Sequence, residues 1–190
     1  MARVFLIRHG RPSQSWGGAE NDPGLSNEGL EQAGAAAQAL QLYGRLDLVS
    51  SPMRRCRETA APYALWRGLE PALEPRVSEI ACDDGVDDRA RWLQTRFPWR
   101  EANPGRSWST LEPRLHAWRD DVLACIGAIS RDTAIFTHFI AINVIAGAAL
   151  GRAETVVCRP DHASITEIEV RDGGLHFVAH GASMRLDDVR

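Results

Sequence analysis

The sequence VFLIRHG at residues 4–10 determines how the rest of the chain is interpreted. Four consecutive apolar residues end at a charged turn that contains glycine, a pattern typical of a buried strand in a parallel sheet. In such sheets ligands bind beyond the carboxyl ends of the strands. Arg8 and His9 therefore stand where an α/β protein places its binding groups.

Helical patterns follow this strand. Pro52 suits the first turn of a helix, which the pattern extends to about Trp66. Before it, Ser26 can cap a helix whose apolar positions recur with the 3.6-residue period. Those positions are Leu30, Ala33, Ala37 and Leu40.

Short apolar segments between the helices have the length and composition of strands. The predicted strands after the first are residues 46–50, 77–80 and 134–137, and residues 165–170 and 175–179 form a hairpin. From Thr133 to Gly151 the only charged or titratable side chain is that of a histidine, and we interpret this run as a strand and a buried helix rather than a membrane span. Strands alternating with helices predict an α/β fold with three layers, a mainly parallel central sheet and helices on both faces.

The composition excludes several classes of function. All 22 basic residues are arginine, against 25 acidic residues and a net charge of −3. The absence of lysine excludes Schiff-base chemistry, a P-loop lysine and a lysine general base. The arginines are dispersed along the chain, whereas nucleic-acid binding needs a clustered basic excess, so we expect no nucleic-acid partner.

The length of 190 residues predicts a single domain over residues 1–190. The four cysteines form no CxxC pair, and no histidine spacing indicates a metal site, so we expect neither metal nor cofactor. His162, His176 and His180 therefore receive no role. Residues 4–7 are too short for the core of a signal peptide, and we expect a cytoplasmic protein without a membrane partner.

Groups capable of chemistry follow four of the predicted strands. Arg8 and His9 follow the first, residues 50–55 the second, Glu79 ends the third, and His138 follows the fourth. Because the carboxyl ends of parallel strands meet at one edge of the sheet, we expect these side chains to converge there.

These segments resemble, in the same order, the motifs of the histidine phosphatase superfamily, which includes cofactor-dependent phosphoglycerate mutases and many small-molecule phosphatases. The resemblance covers most of the chain and is weakest over residues 83–131, a segment expected to be largely helical and to cover the pocket mouth. The matching segments are FLIRHG at residues 5–10, LSNEGLEQA at 25–33, SSPMRRCRETA at 50–60, VSEI at 77–80 and IFTH at 135–138.

The resemblance implies a role for each site residue. It assigns the phosphoryl-accepting nucleophile to His9, phosphate binding to Arg8, Arg55 and His138, and leaving-group protonation to Glu79. We expect His138 to act as a cation that donates to the phosphoryl oxygens. The residues Asp83 and Asp84 are fallback candidates for the proton donor.

Three arginines compete for the second phosphate contact. Arg54 and Arg55 point about 100° apart on a helix, so one of them at most faces the pocket. The motif register selects Arg55. We expect Arg54 to be solvated and Arg57 to pair with a carboxylate.

The chain departs from the superfamily pattern at several positions. Pro12 and Ser15 replace a common threonine and asparagine, and Phe139 replaces a common glycine. The usual motif after Glu79 is also missing. These differences bear on the substrate more than on the chemistry.

Four tryptophans lie in the weakly matching segment. Ordinary helix packing is the interpretation we favour, and the alternative is an aromatic wall for an apolar or planar leaving group. They are Trp92, Trp99, Trp108 and Trp118.

The resemblance as a whole implies a metal-independent phosphatase that hydrolyses a small phosphate monoester through a phosphohistidine on His9. The alternatives are a phosphoglycerate mutase, a phosphohistidine-protein phosphatase and a non-catalytic module that binds a phosphorylated ligand. The chain is short for the mutases and has no obvious insertion to reorient a bisphosphate.

Overall fold

The structure is a computed structural model that describes residues 1–14, 22–83, 85–99 and 106–184. In this part of the chain there are six strands and five α-helices. The strands are β1 (Ala2–Arg8), β2 (Asp47–Ser50), β3 (Ala72–Leu73), β4 (Thr133–Thr137), β5 (Ile165–Arg171) and β6 (Gly174–His180). The helices are α1 (Asn27–Leu40), α2 (Arg54–Arg67), α3 (Arg89–Arg96), α4 (Pro113–Gly127) and α5 (Phe139–Ala149).

The strands form one sheet in the order β3-β2-β4-β1-β5-β6. β3, β2, β4 and β1 pair in parallel, and β5 and β6 add an antiparallel hairpin beside β1. The hairpin turn places Asp172 and Gly173 at φ values of 53° and 74°, as a two-residue turn with both centres left-handed requires. The predicted mainly parallel sheet and its terminal hairpin are confirmed.

Side chains of β1 alternate between two cores, one on each face of the sheet. Phe5 and Ile7 pack with α1 and α2, whereas Val4 and Leu6 pack with α3, α4 and α5. The sheet is therefore covered by helices on both faces, and the predicted three-layer α/β fold is confirmed.

The central strand β4 and the helix after it account for the long uncharged run. Every residue of β4 is buried, and nine of the eleven residues of α5 are buried as well. The interpretation as a strand and a buried helix is confirmed. No helix in the described ranges is long and apolar enough to cross a membrane.

The predicted strand at residues 77–80 is wrong. Residues 75–77 form a 3₁₀ helix, and the strand lies earlier, at β3. Pro75 has no N–H for a sheet ladder, and Glu74 Oε1 accepts a hydrogen bond from Arg76 N at 3.0 Å, which closes a local turn. Glu79 consequently follows a turn rather than a strand.

Helix boundaries differ from the predictions in smaller ways. α2 begins two residues after Pro52, with Met53 as its N-cap. In α1, Ser26 caps the helix as expected by accepting from Gly29 N at 3.1 Å, but Leu30 is 52% exposed. The buried stripe of α1 instead runs through Gly29, Ala33, Ala36, Ala37 and Leu40. The segment over residues 83–131, expected to be largely helical, contains α3, a 3₁₀ helix at residues 108–110 and α4.

Two glycines let the loop after β1 pack directly on the start of α1. A Cβ atom on Gly10 would lie 2.6 Å from the carbonyl oxygen of Gly29. A Cβ on Gly29 would overlap the carbonyl oxygen of Arg11. Backbone therefore touches backbone here, which holds the residues after β1 in place against α1.

We expect Gly29→Ala to destabilise the protein by about 2–4 kcal/mol, because backbone cannot yield to the added methyl group as a flexible side chain would. Gly34→Ala is the matched control, since it lies in the same helix and its Cβ would meet nothing within 4 Å. That change should be neutral or stabilising by up to about 1 kcal/mol. Urea unfolding measures both. Equal stability of the two variants would contradict the packing argument.

Candidate active site

His9 lies directly beyond β1 with a defined orientation. Its backbone N–H donates to Thr137 O at 2.9 Å, and its ring Nδ1 lies 2.9 Å from Gly10 O. Because a carbonyl oxygen only accepts, Nδ1 carries the proton and the Nε2 lone pair is free. The side chain is 7% exposed. Burial, followed by the charges of Arg55, His138 and Arg8, lowers the pKa of His9 well below its usual value, so the ring is neutral.

A threonine of α2 links His9 to Arg55. Thr59 Oγ1 accepts from Gly10 N at 2.9 Å and donates to Arg55 O at 2.6 Å. Arg55 is 4% exposed, and its Nη1 lies 3.6 Å from Asp22 Oδ1. The structure thus brings Arg55 into the site, at the position that the motif register selected.

The neighbouring arginines point away from the site. Arg54 is exposed and donates from Nε to Glu58 Oε1 at 2.7 Å. Arg57 is exposed, and no ion pair joins it to a carboxylate within the described part of the chain. The expected carboxylate partner therefore belongs to Arg54 and not to Arg57. Four residues separate Arg54 and Glu58, which places them on one face of α2.

His138 is completely buried between Arg55 and Ser51. Its Nδ1 lies 3.2 Å from Arg55 Nη2, and its Nε2 lies 2.9 Å from Ser51 Oγ. A guanidinium only donates, so Nδ1 accepts and the proton sits on Nε2. Burial, then Arg55 and Arg8, lowers the pKa of His138 well below its usual value. The expected cationic His138 is thus not the form present without a bound anion, because burial and then the neighbouring guanidiniums lower its pKa.

Arg8 points its guanidinium across Phe139. Its Cζ lies 5.2 Å from the centre of the Phe139 ring, and its Nη1 donates to Pro160 O at 2.9 Å. Its Nε is buried and has no hydrogen-bond partner in the described ranges. Burial lowers the pKa of Arg8 to about 10, so the side chain stays charged at neutral pH. The face of the Phe139 ring therefore supports the guanidinium of Arg8.

Glu79 is held by the first turn of α5. Its Oε2 accepts from Ile140 N and its Oε1 from Ile80 N, each at 3.2 Å. Burial raises its pKa, although these two N–H groups and the charges of Arg55 and Arg8 act in the opposite direction. A carboxyl group with a raised pKa can hold a proton for a leaving group, which is the property that the sequence interpretation required.

Of the two fallback candidates for the proton donor, the structure describes Asp83. Asp83 accepts from Trp92 Nε1 at 2.8 Å and from Arg114 Nε at 2.5 Å. These hydrogen bonds, with that to Arg114 the stronger influence, lower the pKa of Asp83 and disfavour a role as acid. The second fallback residue, Asp84, lies outside the described residues.

Pro12 and Ser15, in the loop after β1, differ from the superfamily pattern, and the structure describes the first of them. Pro12 forms an isolated antiparallel bridge with Leu25, which closes the loop against the start of α1. Ser15 lies outside the described residues.

Only one of the four tryptophans lies next to a site residue. The ring of Trp99 meets that of Phe139 edge-on at 6.1 Å. Trp92 and Trp108 are buried in the core, and Trp118 packs partly buried against it. Helix packing therefore accounts for three of them, and an aromatic wall would rest on Trp99.

The sequence interpretation missed two neighbours of the site. The ring of His162 lies 5.9 Å from that of His9, and the hydroxyl of Ser51 hydrogen-bonds His138. His162 stands just before β5, far along the chain from any motif, so no spacing could reveal it. Within the described ranges no three His, Cys, Asp or Glu side chains are grouped to hold a metal ion.

Comparison with known proteins adds a family and a fold. The model of the histidine phosphatase superfamily (branch 1) matches residues 4–183. A protein of Yersinia pestis (strain Pestoides F) named as a probable phosphoglycerate mutase, GpmB, is 26% identical over 167 residues, covering 80% of this chain and 76% of its own length.

Two solved structures share the fold. The mycobacterial glucosyl-3-phosphoglycerate phosphatase Rv2419c with inorganic phosphate has a TM-score of 0.73 at 22% identity, covering 96% of this chain and 98% of the other. TTHB049 from Thermus thermophilus has a TM-score of 0.62 at 23% identity, covering 95% of this chain and 99% of the other.

The buried neutral histidines predict acid sensitivity of the fold. Below pH 6.5 the unfolded chain binds protons on its histidines, while the lowered pKa values keep His9 and His138 neutral in the folded state. The free energy of unfolding should therefore be highest above about pH 7.5. By pH 5 it should have fallen by about 2 kcal/mol for each such histidine. Urea unfolding at pH 8 and pH 5 measures this loss.

The matched variants are His138→Gln and His180→Gln, the second at an exposed histidine. His138→Gln should reduce the loss between pH 8 and pH 5 by about 2 kcal/mol, and His180→Gln should leave it unchanged. An identical loss in wild type and His138→Gln would show that His138 is not held neutral.

Proposed function

The chain belongs to the histidine phosphatase superfamily, and within it we propose that it is a metal-independent phosphatase hydrolysing a small phosphate monoester through a phosphohistidine on His9. The observation that carries this proposal is the orientation of His9, whose Nδ1–H is engaged by Gly10 O so that Nε2 is free to attack. We place the activity in a single cytoplasmic domain, residues 1–190, with residues 83–131 covering the pocket mouth.

In the first step, Nε2 of His9 attacks phosphorus. A P–N bond forms while the ester P–O bond breaks, and the leaving oxygen takes the proton held by Glu79. The guanidiniums of Arg8 and Arg55 stabilise the charge on the three other phosphoryl oxygens. Both guanidiniums are largely removed from water, which strengthens their attraction for the substrate.

His138 changes its protonation when the dianion binds. In the free site the Nδ1 of His138 accepts from Arg55. A phosphate dianion favours the charged imidazole, so Nδ1 takes up a proton from solvent, donates to a phosphoryl oxygen, and gives the proton back to solvent when orthophosphate leaves. Nη2 of Arg55, released from the ring, turns to the phosphate as well. Ser51 keeps the ring in place through Nε2 throughout.

In the second step, water hydrolyses the phosphohistidine. Glu79, now ionised, accepts a proton from the attacking water as the new P–O bond forms. The P–N bond breaks, its electron pair returns to Nε2, and orthophosphate leaves. His9 and Glu79 are restored to their starting states.

A phosphoglycerate mutase is the second candidate, favoured by the name of the Yersinia relative. The mutase differs in returning the phosphoryl group to a second hydroxyl of the substrate rather than to water. The name of the mycobacterial structure supports the phosphatase. Release of orthophosphate without transfer to added 3-phosphoglycerate separates the two activities.

We expect His9→Ala to lower the hydrolysis of p-nitrophenyl phosphate at least about a thousandfold, because the nucleophile is lost. The assay contains EDTA, and wild type should be active in it. Brief reaction with a ³²P-labelled ester should label wild type with an acid-labile, alkali-stable phosphoryl group and leave His9→Ala unlabelled. His176→Ala, on β6, is the matched control and should keep full activity and labelling.

Wild-type activity in His9→Ala would remove the nucleophile from His9. Activity lost on chelation would contradict a metal-independent reaction. Vanadate binding without turnover of any ester would favour the non-catalytic binding module.

The role of Glu79 is tested by the leaving group. For an alkyl phosphate, whose alkoxide needs a proton, Glu79→Gln should lower kcat/KM by about 10²–10⁴-fold. For p-nitrophenyl phosphate, whose phenolate leaves unaided, the loss should stay below about tenfold. Asp83→Asn serves as control and should change kcat/KM less than about twofold for either ester, because Asp83 is held by Arg114 and Trp92.

Equal losses on both esters in Glu79→Gln would contradict leaving-group protonation by this residue. A large loss in Asp83→Asn would move the acid to Asp83. A dispensable Glu79 would favour the phosphohistidine-protein phosphatase, because an imidazole leaving group needs little protonation.

A further inference from the structure

A groove runs along α1, and one residue of its lining, His162, neighbours His9. It has a volume of about 440 Å³ and lies between α1 and the β5–β6 hairpin. Its wall on the α1 side carries Ala35 and Ala39, and its opposite wall carries Ile165. His162 and Ser164 belong to the same lining. The lining is mostly apolar, and its further polar or charged residues are Gln32, Tyr43, Glu167 and His180.

His162 forms the end of the groove nearest His9. Its ring lies 5.9 Å from that of His9, and its side chain is 15% exposed. The closest carboxylate oxygen, Asp161 Oδ1, lies 3.9 Å from its Nδ1, which is too far for a hydrogen bond. Burial and the charges of Arg8 and Arg11 lower the pKa of His162 to about 3, so the ring is neutral. Within the described ranges its one donor and one acceptor both lack a hydrogen-bond partner.

Ser164 adds a second unpaired group at the same end. The residue is 9% exposed, and its Oγ is buried without a hydrogen-bond partner in the described part of the chain. Buried polar groups in folded proteins are nearly always paired, so the unpaired hydroxyl of Ser164, a residue of the groove lining, requires an explanation. A ligand oxygen bound in the groove would satisfy this hydroxyl.

The backbone between these two residues is strained and tied to the active site. Ala163 has a φ of 55°, in the left-handed region that a residue with a Cβ rarely adopts. Its N–H donates to Arg8 O at 3.0 Å, and Arg8 N donates to Ser164 O at 3.2 Å. Such strain persists where the surrounding structure imposes it, and it is frequent at binding sites. Here it holds His162 and Ser164 against the end of β1.

We propose that this groove is the subsite for the alcohol part of the substrate, an inference that rests on the proposed phosphatase activity of His9. The substrate class is a phosphate monoester with a hydroxyl or ether oxygen close to the ester bond and an apolar chain beyond it. The oxygen binds His162 and Ser164, and the chain lies along Ala35 and Ala39. The position of His162, which lines the groove and whose ring lies 5.9 Å from that of His9, selects this occupant.

The test uses phosphonates, which cannot be hydrolysed, so that binding is measured apart from turnover. Isothermal titration of wild type should give a Kd for hexylphosphonate at least about tenfold below that for methylphosphonate, because added methylenes leave water for the apolar groove. Ala35→Leu and Ala39→Leu fill the groove and should abolish that gain while leaving the Kd of methylphosphonate within about twofold. Ala61→Leu, at an exposed alanine of α2, is the matched control and should retain it.

The polar end is tested with 2,3-dihydroxypropylphosphonate and propylphosphonate, which differ only in two hydroxyl groups. Wild type should prefer the hydroxylated ligand about threefold to tenfold, and His162→Ala should lose the preference while His176→Ala keeps it. A chain-length gain that is absent, or that survives both leucine variants, would overturn the groove as a subsite. An unchanged preference in His162→Ala would overturn the role of His162. Failure of the phosphatase proposal appears separately, as inactive wild type or active His9→Ala.

Discussion

Two guanidinium groups removed from water at the carboxyl edge of the sheet govern the chemistry of this protein. Arg8 and Arg55 both lower the pKa of His9 and of His138, in addition to the effect of burial. Both rings are therefore neutral before an anion arrives, and a neutral imidazole is the form that can attack phosphorus. Glu79 is a buried carboxyl group that interacts with both guanidiniums, and its burial raises its own pKa. The site is thus electrostatically suited to a dianion.

The charges are useful only because the backbone holds their side chains in position. The loop after β1 packs backbone against backbone on the start of α1, at Gly10 and Gly29. The same loop is bound to α2 by Thr59, which joins the N–H of Gly10 to the carbonyl of Arg55. A change in this scaffold would shift His9 and Arg55 together. The geometry of the site therefore depends on residues that have no chemical role.

The arginines divide by location into those of the active site and those of the surface. Arg8 and Arg55 are held in the site, whereas others form ion pairs at the surface, for example Arg152 with Glu154 at 2.6 Å. Surface pairs of this kind contribute little to stability. A net charge of −3 is thus compatible with an anionic substrate, because the attraction is local.

The sequence by itself determined what depends on near neighbours along the chain. The apolar run of β1 and the capped period of α1 were sufficient to predict the α/β sheet, whereas Arg55 and Glu79 were selected by the resemblance of their motifs to a family. The strand expected at residues 77–80 failed because proline and a local side-chain cap outweighed a short apolar pattern. Only the tertiary structure decided the neutral state of His138, the support of Arg8 by Phe139 and the position of His162 beside His9. Each of these depends on burial and on charges brought together from distant parts of the chain, and desolvation and Coulomb interactions follow distance in space rather than in sequence.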